Sequence, residues 1–206
     1  MPSFDLFSIG HSNVSAERFV AMLNGAGAKA VVDVRSMPSS RRFPWFSKKN
    51  LEARLQSEGI AYTAKGDTLG GRPHDASFYC DGVADYEAMA AMPQFQSGLD
   101  QLIDRAAHAR VCVMCAEREP LDCHRCLLVA RSLAERGFAV GHILHDGKIE
   151  PHAATERRLL ALGCESCDLF ASGQGEALTA AYRRRARAVA FRQKVPGPRI
   201  AAENGR

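Results

Sequence analysis

The chain has 206 residues, 46% hydrophobic, at a net charge of +4; that is enough for one substantial core, and the basic surplus lies at one end, because from Ala171 onward eight Lys/Arg face only Glu176 and Glu203. No apolar run approaches the roughly 20 residues that span a bilayer, and no signal-peptide stretch opens the chain, so a cytoplasmic protein with no membrane contact is expected. Seven cysteines, an odd number, argue against a secreted disulfide framework and for reduced thiols.

In chain order, Phe4 to Ile9 predicts a first strand closed by Gly10, with His11, Ser12 and Asn13 in the loop beyond it. Ser15 is the expected cap of a helix running to about Asn24. AVVDV predicts a second, buried strand ending near Arg35. A loop rich in Ser, Pro, Arg and aromatics follows, and Ser47 is expected to cap KKNLEARLQSEG with Leu51 and Leu55 inward. IAYTAKG predicts a short third strand, and the segment from Asp67 to Gly82 an irregular loop. Two helices, Ala84 to Met92 and Phe95 to His108, are broken near Pro93. Val111 to Cys115 then predicts a buried strand, and a polar loop, Ala116 to Asp122, leads into a helix ended by Gly137. AVGHIL predicts a fifth strand, and HAATERRLLAL a helix stopped by Gly163. Strands alternating with helices imply an α/β fold, a mostly parallel sheet flanked by helices on both faces. The domain is expected over 1–163. A basic extension, 164–206, is expected to be helical from Ala177 to Lys194 and disordered beyond.

Three polar loops follow the carboxyl ends of predicted parallel strands, and such ends share one edge of a sheet, where ligands bind in open α/β folds. They carry His11 and Ser12; Asp33 and Arg35; and Cys115 through Arg125. Cys115 closes its strand, where Arg118 or Arg125 and a helix N-terminus are expected to lower its pKa and make it a nucleophile; a buried thiol acting as a small hydrophobe is the alternative. Cys112, three residues earlier, faces the other side, so four-cysteine zinc binding with Cys123 and Cys126 is not expected, and no metal or cofactor is assigned. Glu117, His124 and Asp33 are the candidate acid–base groups. Arg35, Arg41 and Arg125, with His11 and Ser12, are the candidate anion-binding groups. Arg125 as an ion-pair partner of Glu117 or Asp33 is the structural alternative. Arg41 and Arg42, interleaved with Phe43, Trp45 and Phe46, read either as a nucleic-acid contact or as aromatics covering the core. The RRRAR run near the end has the same ambiguity, and Cys164 and Cys167 form one further cysteine pair.

SIGHS at Ser8 to Ser12, DVRS at Asp33 to Ser36, SRRFPWFS at Ser40 to Ser47, LGGRP at Leu69 to Pro73 and CAEREPLDCHR at Cys115 to Arg125 together resemble the bacterial and archaeal family called domain of unknown function 488. The likeness runs from residue 4 to about 160. It implies a shared fold and site, with motif residues at His11, Ser12, Asp33, Arg35, Arg41, Gly70, Gly71, Cys115, Glu117, Cys123, His124 and Arg125, and it implies no established reaction. A weaker similarity is to rhodanese-type domains, in the strand, Cys-loop and helix around Cys115; the two glutamates and the proline in this loop depart from their pattern.

The leading expectation is an enzyme binding a phosphate-bearing substrate, a nucleotide or nucleic acid, at the carboxyl edge of the sheet. The alternatives are a non-catalytic nucleic-acid-binding module and a thiol-based redox or sulfur-transfer protein using Cys115.

Overall fold

The computed structural model describes residues 3–162 and 174–193. Its strands are β1 (Leu6–Gly10), β2 (Ala30–Asp33), β3 (Ala61–Ala64), β4 (Tyr79–Cys80), β5 (Val83–Ala84), β6 (Val111–Cys115), β7 (Val140–Ile143) and β8 (Ile149–Pro151). The helices are α1 (Ala16–Gly25), α2 (Lys48–Ser57), α3 (Gly66–Leu69), α4 (Tyr86–Ala90), α5 (Pro93–His108), α6 (Arg131–Glu135), α7 (His152–Ala161) and α8 (Gln174–Val189). A π-wound segment, Arg125–Ala130, runs straight into α6.

Six strands form one sheet in the order β3-β2-β6-β1-β7-β8, parallel except for the β7–β8 pair. The central strands are continuous apolar runs because both faces are covered. Residues alternate between those faces along β6. Cys112 and Met114 lie in the core under α1 and α2 with Phe19, Leu23, Leu51 and Leu55; Val111, Val113 and Cys115 lie in the core under α5 and the π-wound segment with Leu99, Leu127 and Leu128. Cys112 and Cys115 therefore point in opposite directions, as a three-residue spacing on a strand requires.

The chain leaves β1 toward β2 on one side and leaves β6 toward β7 on the other, although β1 and β6 are neighbours. Their carboxyl ends are thus the topological switch point, where the two outgoing segments part and leave a crevice. The β1–β6 ladder continues past the strand ends, His11 N donating to Cys115 O at 3.0 Å and Ser12 N to Ala116 O at 2.8 Å.

Most of the expected elements are present. Ser15 caps α1, accepting from Arg18 N at 3.2 Å, and Pro93 takes the first turn of α5, which its fixed φ and missing N–H suit. Four expectations are corrected. Ser47 precedes α2, but its hydroxyl bonds to Ser40, accepting from its N and donating to its O, and so ties the Arg-rich loop shut instead of capping the helix. The stretch 67–82 is not irregular throughout: it contains most of α3, a 3-10 turn at Ala76–Phe78 and β4. A sixth sheet strand, β8, turns back antiparallel on β7 before α7. The helix after Asp122 opens with π winding, not as a regular α-helix. Gly163, Cys164, Cys167 and the segment from Lys194, the expected end of the last helix, fall outside the described residues. No helix among the described residues is long and apolar enough to cross a membrane.

Helix α8 lies against the body. Ala181, Tyr182 and Ala190 join the core shared by α5 and the π-wound segment. The chain after it returns to the small hairpin, Ala84 N donating to Phe191 O at 2.9 Å and Gln193 N to Gly82 O at 2.8 Å.

Candidate functional site

A cavity of about 490 Å³ opens at the switch point, lined by His11, Arg35, Cys115, Glu117, Cys123 and His124 among others. The three strand-end loops thus share one hollow. Asp33 forms its floor support. Its carboxylate is fully buried and held by Arg35, Nε at 2.9 Å and Nη2 at 2.6 Å, and by the Tyr62 hydroxyl at 2.7 Å. The partner of Asp33 is therefore Arg35, not Arg125. Arg35 Nη1 reaches on to His11 Nε2 at 3.2 Å, and the imidazole of His11 stacks on Phe46 at 4.1 Å between centroids. His11 Nδ1 donates to Ser12 O at 2.9 Å, so Nε2 is the acceptor and the ring is neutral. Burial, and then the Arg35 guanidinium, lower its pKa to about 4.

Opposite this pair stands a cluster of two thiols, a carboxylate and an imidazole. The Cys115 and Cys123 sulfurs lie 2.9 and 3.0 Å from the same Glu117 oxygen, Oε2, and 3.7 and 3.9 Å from His124 Nδ1. His124 Nε2 donates to Val34 O at 2.9 Å. Gly71 passes flush against the imidazole, and a Cβ at that position would lie 2.7 Å from the ring. Glu117 keeps an exposed stem while its carboxylate reaches between the sulfurs.

The electrostatics reverse the expected roles of the thiols. Burial pushes the Cys115 thiol well up, and its contacts with Cys123 and Glu117 push it further. Burial also opposes ionisation of Cys123, but the hydrogen bond from Cys115 and the positive charges of Arg125 and His124 outweigh it and hold that thiol well down. Arg125 N–H points at the Cys123 sulfur at 3.4 Å, the placement of a thiol at a helix start. The favoured thiolate is thus Cys123. Burial raises the Glu117 carboxyl, and so does the Cys123 charge; the hydrogen bond and charge of Cys123 overcome desolvation to raise His124.

The remaining expected site residues fall differently. Arg125 is buried, and its guanidinium is committed to backbone, Nη1 donating to Glu117 O at 2.6 Å and Nη2 to Arg118 O at 3.0 Å. It braces the loop and is turned away from the cavity, so the expectation that it holds an anion is corrected. Arg41 is exposed and does not line the cavity; the loop presents Ser39 and Ser40 there instead. Ser12 has a left-handed backbone, φ 47°, and contributes its carbonyl to His11 while its side chain stays outside. In the Arg41 to Phe46 loop, Phe46 is fully buried in the core and Trp45 is 40% exposed, so this segment is mainly a cover.

Sequence reasoning missed Arg72, Tyr86 and Phe191 on the cavity wall and Tyr62 behind Asp33. Arg72 follows directly on the double glycine, and its guanidinium stacks on Phe191 at 4.5 Å. The glycine pair was the available signal for Arg72; Phe191 follows α8, and nothing local in the sequence announces it.

The family model described as "Domain of unknown function DUF488" matches residues 15–132. The chain belongs to the DUF488 family. The matched span covers Asp33, Arg35, Gly71 and the whole Cys115 to Arg125 stretch, while His11 and Ser12 precede it and α7 and α8 follow it. No curated protein and no solved structure matches the chain. For this DUF488 protein the chemistry is therefore read from its own site.

Proposed function

We propose that this DUF488 protein is a cytoplasmic enzyme whose cavity binds a phosphate-bearing small molecule of the nucleotide class. One observation carries the reading: a single hollow at the switch point is lined by Arg35 and Arg72 together with Cys115, Glu117, Cys123 and His124. Arg35 is preorganised by Asp33 and retains N–H groups on Nη1 and Nη2 beyond those it spends on Asp33 and His11. Arg72 is exposed, and Ser36 and Ser40 also line the cavity. The anion sits between the arginines and the reacting bond faces the thiol and carboxylate wall. A volume of about 490 Å³ falls in the range of small-molecule sites, which favours a nucleotide over a nucleic-acid strand. Free thiols among the described cysteines suit a reducing compartment.

Titration calorimetry with inorganic phosphate, nucleoside monophosphates and a short single-stranded oligonucleotide tests this. A nucleoside monophosphate is expected to bind, and Arg72→Ala to weaken it about 10- to 100-fold, the worth of one charge-assisted hydrogen bond. Binding by none of the mononucleotides at millimolar concentration, or an Arg72→Ala variant with unchanged affinity, overturns the reading. Binding by the oligonucleotide alone transfers it to the nucleic-acid alternative.

A further inference from the structure

We propose that Cys115, Glu117, Cys123 and His124 hold one divalent metal ion, Zn²⁺ by the chemistry of the donor set. The four donor atoms lie within 4.8 Å of one another. Metal–sulfur bonds of about 2.3 Å and metal–nitrogen bonds of about 2.0 Å put sulfur and nitrogen about 3.5 Å apart on a tetrahedron, and the separations here are 3.7 and 3.9 Å. The carboxylate oxygen sits closer, at 2.9 and 3.0 Å from the sulfurs, and a small rotation of its exposed stem opens that distance. Two thiolates and an imidazole are soft-to-borderline ligands that select zinc over magnesium or calcium.

Two observations outside the donor set point the same way. The first is the orientation of His124. Its Nε2–H is spent on Val34 O and its ring is pinned by Gly71, so Nδ1 faces the sulfurs; a metal-bound histidine is typically held by such an outer hydrogen bond. The second is Arg125. The residue is 1% exposed, and its guanidinium donates only to carbonyl oxygens, has no partner for Nε and meets no carboxylate among the described residues. A buried cation needs nearby negative charge. Two thiolates and a carboxylate around one divalent ion supply a net charge of about −1 beside it, and the Arg125 N–H is already directed at the Cys123 sulfur.

A second group of donors, Cys126, His142 and His152, is also close-set, but its ring nitrogens are occupied. His142 Nε2 and His152 Nδ1 bond each other at 2.9 Å, and their other nitrogens serve Ser8 and Tyr182. The Glu117 cluster, unlike that group, forms a wall of the open cavity, so the ion has an entry path and a face toward a ligand. The inference deepens the substrate reading above by giving that wall a Lewis acid next to Arg35, but its support is independent of any substrate.

Metal binding itself is the test. The full-length chain, stripped by chelator under reducing conditions and dialysed against Zn²⁺, is expected to retain one ion per chain by elemental analysis. With Co²⁺ it is expected to show a thiolate-to-metal charge-transfer band in the near ultraviolet. Cys115→Ser and Cys123→Ser should each remove that band or weaken binding by more than the 10- to 100-fold that follows loss of an outer-shell partner; His124→Gln, with the thiols intact, provides a milder variant, and circular dichroism checks that each is folded. Cys126→Ser should leave the stoichiometry at one. A wild-type chain that takes up neither metal overturns the proposal, as does metal that survives Cys123→Ser but is lost in Cys126→Ser. A metal-loaded protein that binds no nucleotide would leave this inference standing while the substrate reading falls.

Discussion

Asp33 tolerates full burial because four donors, the backbone N, Nε and Nη2 of Arg35 and the hydroxyl of Tyr62, replace the water it has lost. A second buried chain, on the other side of β1, shows the same economy without charge. Ser8 donates to His142 Nδ1 at 2.7 Å, His142 Nε2 to His152 Nδ1 at 2.9 Å, His152 Nε2 to the Tyr182 oxygen at 3.0 Å, and the Tyr182 hydroxyl to Glu156 at 3.0 Å. With both histidines neutral, one direction of donation satisfies every member. Protonating either puts a positive charge on a buried ring, which burial opposes. Burial alone lowers His152 to about 4, and burial, with His152 and the Arg125 and Arg158 charges, holds His142 well below its ordinary value. Both are bases whose folded pKa lies under the unfolded value of about 6.5, so the unfolded chain binds more protons between those limits. Stability is therefore full above about pH 6.5 and declines as pH falls toward 4, by up to about 3 kcal/mol from His152 alone. Urea midpoints at pH 7.5 and 5.0 check this. A pH slope as steep in His152→Gln as in the wild type would refute the assignment.

The loop after β6 owes its course to a missing side chain on β1. A Cβ at Gly10 would lie 1.8 Å from Glu117 O and 3.0 Å from Arg125 Nη1, so the backbone of the site loop crosses the strand end only because position 10 is glycine. Gly10→Ala should push that loop outward and break the Arg125 brace, costing about 1–3 kcal/mol, the usual penalty of overpacking. Gly25→Ala, which meets nothing within 4 Å at a helix end, should be close to neutral. Thermal melts of both variants test the contrast, and equal midpoints would sink it. The same two elements show what could be read in advance. β1, β2 and β6 announced themselves as continuous apolar runs, and parallel strands put their carboxyl ends on one edge, so His11, Arg35 and Cys115 were legible as neighbours. β8, β4 and β5 are two or three residues long and form short hairpins with the strand next to them in the chain, too brief for any local periodicity to show. The exchange of Cys115 for Cys123 as the favoured thiolate was hidden for a similar reason, since it depends on where Arg125 and one backbone N–H point. Arg41 and Arg72 changed places because loop paths, not residue type, decide which guanidinium reaches the cavity.

The basic end of the chain looked like an appendage and behaves as a structural layer. Several of its arginines are engaged by carboxylates of the body, Arg183 with Glu87 at 2.7 Å and Arg185 with Asp122, so their charge is partly neutralised where a nucleic-acid arm would keep it free. Exposed pairs of this kind contribute only about 0–1 kcal/mol each. The docking rests instead on Tyr182, 3% exposed, with Ala181 and Ala190 in the same core. Beyond α8, Phe191 lines the cavity under Arg72, which makes the last described segment part of the site wall. A chain ending at residue 173 should therefore lose more than a tail. Truncating a buried aromatic costs about 3–5 kcal/mol, and the His152 Nε2 partner is lost with it, a further 1–3 kcal/mol or so for an unsatisfied buried donor. Tyr182→Phe isolates the second contribution, Tyr182→Ala combines both, and the order of stability should be wild type, Tyr182→Phe, Tyr182→Ala. Raising salt toward 1 M, which screens surface pairs, should leave that order unchanged. If the shortened chain instead melts with the full one, or if salt alone undocks α8, its arginines and not its apolar face hold it, and the free basic arm becomes the better description.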